Sequence, residues 1–166
     1  MSLEIKNIEG DLLKVEADVI CHQVNCLGLM GAGIAKQIKE QYPEVFEKYY
    51  DLCKLHQENP KELLGQVQIC NTVNYRVANI FSQCNVSGSE RLTEYEAIRE
   101  GIRNLFIYLY RNKDMKTNFK IAFPKNYGCG LGGGDWKVVE QIIIQEVVYY
   151  AYKCNFNIEL LFVEFC

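Results

Sequence analysis

The segment DVICHQVNCLGLMGAGIAKQI, residues 18–38, decides the fold. Its first eight residues are a short run carrying Val19, Ile20, Cys21 and Val24, which reads as a buried strand. Gly28, Gly31 and Gly33 then punctuate a loop, and Met30, Ile34 and Ile38 recur at helical spacing before Pro43. A strand passing through a glycine loop into a helix is one unit of an α/β domain. A second copy of this plan lies downstream. FKIAFP (119–124) reads as a strand, YGCGLGGGDW (127–136) as a glycine loop, and WKVVEQIIIQEVVYYAYKC as a helix opened by Asp135 at the N-cap. Five of the chain's 12 glycines fall in that loop.

Working outward, strand-like runs occupy 3–8, 67–73, 76–82 and 157–165. Asn74-Tyr75 reads as the tight turn of a hairpin, which puts an antiparallel pair in the sheet. Val45, Tyr49 and Leu52, with Phe46 and Cys53, mark a helix after Pro43. Thr93-Glu94-Tyr95-Glu96 reads as a capping box, with Thr93 as cap, before the apolar face of Ile98, Ile102, Leu105, Phe106 and Leu109. Strands alternating with helices around one hairpin predict an α/β domain, a mixed sheet between helix layers. The 166 residues, 49% hydrophobic, suit a single domain over 1–166.

A formal charge of −3 and the lack of a Lys/Arg stripe argue against broad binding to a nucleic-acid backbone. No apolar run reaches the roughly 18 residues of a membrane span. The charged N-terminus has no signal-peptide centre, so a cytoplasmic protein without a membrane partner is expected. Eight cysteines and two histidines occur without a C-x-x-C pair. Reduced core thiols are therefore expected, with no metal site and no cofactor. Cys129, inside the second glycine loop, stands apart from the rest.

Sheets of this class take ligands at the carboxyl ends of their strands, where both glycine loops lie. The first amides of a helix lack internal partners, the helix dipole favours negative charge there, and glycine lets an anion approach. Two such loops suit the two ends of a diphosphate. A glycine at a strand–helix turn also serves a positive φ without any ligand, so either loop alone carries both readings. Neither contains a P-loop, and GLMGAG lacks the G-x-G-x-x-G order of a dinucleotide fold. Near the first loop, His22 reads as a hydrogen-bonded core histidine or as a general base. Strand alternation sets it opposite Gln23 and Asn25 unless the strand end twists. Asn25, at the strand end, reads as a ligand contact. Asp11 of Gly10-Asp11 suits an exocyclic amine or a turn cap.

EGDLL (9–13), ADVICHQVNCLGLMGAGIAKQIKEQYP (17–43) and YGCGLGGGDW together resemble the macrodomains. The similarity runs over nearly the whole chain. It is nearest the branch holding terminal ADP-ribose glycohydrolases and ADP-ribose-1''-phosphate phosphatases. The resemblance implies a three-layer α/β/α fold with a six-stranded mixed sheet, and ADP-ribose or an ADP-ribosylated molecule as partner. It implies that Asp11 meets the adenine amine and Asn25 the distal ribose. Met30, Gly31, Ala32, Gly33 and Ile34 would surround ribose and phosphate, with Ser82 and Gln83 at a neighbouring strand end. Tyr127, Gly128, Cys129, Gly130, Leu131 and Gly132 would wrap the diphosphate and distal ribose.

The chain also departs from those relatives. Gln83 stands where the glycohydrolases carry a nucleophilic lysine, and an amide cannot form that adduct. Gly132 stands where they carry an aspartate, the nearest acid being Asp135. His22 occupies the place of the first Asn in another branch's strand signature. The expected activity is hydrolysis at the distal ribose by water, with His22, Asn25 and Asp135 as catalytic candidates, although Asp135 also suits the N-cap. The alternative is a module that binds ADP-ribose without turnover. A third reading, a DNA-directed hydrolase, needs Lys36, Lys39, Lys125 and Lys137 around the cleft; nucleic acid is otherwise expected only as a modified substrate.

Overall fold

The computed structural model describes residues 1–112 and 114–165; Cys166, one of the eight cysteines, lies outside them. Six strands, β1 (Ser2–Glu9), β2 (Val19–Asn25), β3 (Val67–Asn71), β4 (Arg76–Gln83), β5 (Asn118–Pro124) and β6 (Asn157–Glu164), form one sheet in the order β1-β6-β5-β2-β4-β3. All neighbouring pairs are parallel except β3 with β4. The hairpin expected at Asn74-Tyr75 is this pair, its turn pinned by the Thr72 hydroxyl donating to Tyr75 O at 2.6 Å.

Among the described residues, four α-helices, α1 (Gly33–Gln41), α2 (Pro43–Leu55), α3 (Tyr95–Arg111) and α4 (Trp136–Cys154), and two short 3-10 helices (Leu12–Lys14 and Pro60–Leu63) complete the elements. Alternating strand residues divide the core. Val19, Cys21, Ile80, Ile121, Phe123 and Leu160 pack with α3 and α4, whereas Ile20, Val77, Ala122 and Leu161 pack with α1 and α2. This is the three-layer α/β/α arrangement with a mixed six-stranded sheet. Burial on both faces explains why β2 opens with the unbroken apolar run of residues 19–21.

The strand order fixes where a ligand can sit. From β2 the chain leaves by α1 and α2 toward β3 and β4. From β5 it leaves by α4 on the opposite face toward β6. β2 and β5 are adjacent, so their outgoing loops diverge and open a crevice between them.

Two sequence expectations are corrected. Thr93 does not cap α3: the cap is Glu94, without a side-chain bond, and the Thr93 hydroxyl instead donates to Gly128 O at 2.7 Å. A buried hydroxyl gains more from that enclosed carbonyl than from a solvated helix end. Met30 lies in the loop before α1, because Ala32 is extended and Gly33 takes φ +56°. Asp135 does cap α4, accepting from Lys137 N at 2.9 Å. Among the described residues no helix is long and apolar enough to cross a membrane.

Candidate active site

The diverging loops enclose a cleft of about 810 Å³, floored by the ends of β2 and β4. The first wall is shaped by Asn25. Its Oδ1 accepts from Leu27 N (3.0 Å), Leu29 N (3.3 Å) and the Tyr49 hydroxyl (2.8 Å), while Nδ2 donates to Leu29 O (2.7 Å). Asn25 thus folds the loop as an Asx turn and keeps one amide hydrogen for another partner. Beyond it, no backbone N–H from Met30 to Ala35 has an acceptor among the described residues. Gly31, Ala32 and Gly33 are exposed, and α1 adds the positive end of its dipole.

The second wall is stapled to the segment just before α3. Leu92 N and Thr93 N both donate to Gly132 O (2.9 and 3.0 Å), and Gly134 N donates to Gly128 O. Beneath it runs a polar network. Gln23 Nε2 donates to Gln83 Oε1 (2.9 Å) and Thr93 Oγ1 (3.0 Å), and the Ser82 hydroxyl donates to Gln23 Oε1 (2.7 Å). With its hydrogen so used, Ser82 must accept from the Tyr127 hydroxyl at 2.6 Å. Burial pushes the Tyr127 phenol well above its ordinary pKa, so that hydroxyl stays protonated. Across this rigid base the amides of Gly130, Leu131 and Gly132 have no acceptor among the described residues. The glycine loop is therefore held in place rather than slack.

The structure brings His22, Asn25, Met30 through Ile34, Gln83, Tyr127, Gly128, Gly130, Leu131 and Gly132 to the cleft. It does not bring the other candidates there. Ser82 is fully buried within the network. Cys129 turns away onto the α3–α4 core, its Sγ 3.2 Å from Tyr127 O, and burial with the Asp135 charge pushes its thiol up to about 11. Asp11 accepts from Leu13 N at 2.9 Å and caps a 3-10 turn. Asp135 caps α4 outside the lining, so its carboxylate is engaged by the helix rather than aimed at the cleft, against the expectation of a water-orienting role. Of the four lysines considered for DNA contact, Lys39 and Lys125 line the cleft. Lys125 is paired with Glu164 at 3.3 Å, and Lys39 lies over the Phe46 ring at 4.1 Å.

His22 is 2% exposed, and its Nε2 lies 2.6 Å from Asn79 Oδ1. The other ring nitrogen, Nδ1, is buried without any partner. A lone pair left in that state costs about 1–3 kcal/mol. Burial lowers the ring pKa to about 4, so the imidazole is neutral at pH 7. Asn25 does not share Gln23's partners, because the pairing slips between Val24 and Asn25 at the strand end.

Sequence reading missed Phe46 and Tyr50, which line the cleft from α2 with ring centroids 5.9 Å apart. Their i, i+4 spacing carried a signal, but it is the same signal as a core stripe. Among the described residues no group of three or more His, Cys, Asp or Glu could hold a metal ion.

A family model described as Macro domain matches residues 21–143. The chain belongs to the macro domain family. Among relatives, it is 30% identical over 139 residues to a DNA ADP-ribosyl glycohydrolase of Mycobacterium tuberculosis, covering 81% of this chain and 36% of that protein. It is 35% identical over 69 residues to an ADP-ribose 1''-phosphate phosphatase of Meyerozyma guilliermondii, covering 40% and 39%. The chain thus spans well under half the length of these curated relatives. Among solved structures, the macrodomain of Mycobacterium tuberculosis DarG superposes with a TM-score of 0.74 at 25% identity, covering 95% of this chain and 96% of that one.

Within this macro domain the position of Gly132 admits no side chain as the loop stands. A Cβ there would lie 2.3 Å from Thr93 Oγ1 and 2.8 Å from Gly128 O. An aspartate at 132 is thus excluded by packing, and Gln83, at the other divergent position, is spent on Gln23 and on Asn85 O.

Proposed function

We propose that this macro domain binds ADP-ribose, or a molecule carrying it, in the cleft, and hydrolyses an ADP-ribose derivative at the distal ribose. The observation that carries the reading is the pair of facing loops with partnerless amides, 30–35 and 130–132. An anion bridging the two receives backbone donors from both sides at a helix N-terminus. The relatives named for ADP-ribosyl hydrolysis and ADP-ribose 1''-phosphate dephosphorylation support the same substrate class.

In this reading water, not a side chain, attacks, since Gln83 cannot serve as nucleophile. Asn25 orients the distal ribose with its remaining amide hydrogen. Neutral His22 is the proposed acceptor of the attacking water's proton, which requires that water to reach the buried Nδ1. Asp11, just past β1 and outside the cleft lining, is the proposed partner of an adenine amine that extends beyond the cleft. Without the lysine and aspartate of the glycohydrolases, the second reading is a module that holds ADP-ribose without turnover. DNA as the carrier is less supported, since only Lys39 and Lys125 among the considered lysines reach the cleft.

A substrate panel separates these readings: ADP-ribose 1''-phosphate, an ADP-ribosylated protein and an ADP-ribosylated oligonucleotide, with phosphate and ADP-ribose release measured. The expected result is turnover of one of them, reduced on the order of 10²-fold or more by His22→Ala. Binding of ADP-ribose with no turnover of any would establish the module instead.

A further inference from the structure

One buried group in the cleft is set by residues that never reach it. His22 lines the floor, and its ring state depends on a chain of amides running across the sheet to α2. Gln68 Nε2 donates to Lys48 O at 3.0 Å. A backbone carbonyl only accepts, so the Gln68 amide can face one way, with Oε1 toward Asn79. Asn79 Nδ2 donates to that Oε1 at 3.0 Å, and also lies 4.0 Å from Cys70 Sγ. Asn79 Oδ1 is therefore turned to His22 as an acceptor at 2.6 Å. The ring must place its hydrogen on Nε2, which leaves Nδ1 as a bare lone pair.

We infer that Gln68 and Asn79 are positioning residues: the relay from Lys48 O through both amides locks His22 as the Nε2–H tautomer and leaves Nδ1, buried beneath the cleft, as the ring's free acceptor. This rests on the reading of the cleft as an ADP-ribose site only for what occupies Nδ1; the tautomer is a property of the protein alone. Nδ1 is the described side-chain atom that is buried with no partner. It answers to a donor, a ribose hydroxyl or the water that attacks it, and rejects a carbonyl or a phosphate oxygen. Gln68 and Asn79 would thus act on the reaction through His22 without touching substrate.

The chain has only two histidines, so ¹⁵N-histidine labelling gives a readable spectrum. His56, half-buried and 2.8 Å from Glu62 Oε2 through Nδ1, is distinguished by a His56→Gln control. Near pH 7 the ligand-free protein is expected to show His22 with Nε2 protonated and Nδ1 bare. Gln68 is only half-buried, so its variants fold more safely than those of fully buried Asn79. Gln68→Met breaks the relay. It is expected to mix the two tautomers and lower kcat roughly 2- to 10-fold with little change in KM, as part of the population carries its proton on the wrong nitrogen. Gln68→Glu loses the donor to Lys48 O but keeps the acceptor for Asn79 Nδ2, and is expected to show the single tautomer. Saturating ADP-ribose should then shift the Nδ1 resonance. A ring protonated on Nδ1, or a tautomer unmoved in Gln68→Met, overturns the relay. A correct tautomer with no response to ADP-ribose leaves the relay standing and overturns the proposed ligand.

Discussion

His22 carries a pH dependence whose sign follows from its burial. The unfolded ring titrates near 6.5 and the folded ring near 4, so the unfolded chain binds the extra proton between those values. Stability is fully present above about pH 6.5 and falls as the pH drops to about 4, by up to about 3 kcal/mol for this one group. Urea unfolding at several pH values, compared with His22→Gln, isolates the effect from the carboxylates. Wild type should lose more stability than the variant across that window, and equal losses would mean that the ring is not held neutral by burial. A polar residue inside an apolar strand was visible in the sequence as an anomaly. Its partners were not, because Asn79 lies 57 residues away and Gln68 reaches it only through the strand pairing of β3 with β4.

At the level of elements, the second glycine loop behaves as a fitted part. Gly132→Ala would push its Cβ against Thr93 Oγ1, the hydroxyl that holds Gly128 O. Overpacking of this kind costs about 1–3 kcal/mol. The melting temperature should drop, and the displaced loop should weaken ADP-ribose binding. Gly130→Ala, with nothing within 4 Å of the added carbon, should melt close to wild type. Thermal unfolding of the two variants checks this, and equal melting temperatures would contradict the staple. Both strand–loop–helix units were legible because apolar period and glycine position are local. The cap of α4 by Asp135 was legible for the same reason. Thr93 was misread as a cap because its actual acceptor, Gly128 O, is 35 residues downstream, and no local pattern weighs the one against the other.

For the molecule as a whole, strand order decides function, and order is the least local property of all. The residues alone predicted strands, helices and a hairpin, but not that β2 and β5 would be neighbours with crossovers on opposite faces. That adjacency brings loops 26–33 and 125–134, a hundred residues apart in sequence, to either side of one cleft. The resemblance to macrodomains supplied the architecture, since motif order stands in for strand order within a family. It could not supply what closes the position of Gly132 or engages Gln83, which depend on contacts with Thr93 and Gln23. The central claim is that the cleft holds ADP-ribose, and isothermal titration calorimetry of the intact chain with ADP-ribose tests it directly. Saturable one-site binding with Kd on the order of 1–100 μM is expected. No saturable heat up to about 1 mM ADP-ribose, roughly −4 kcal/mol at best, would contradict it.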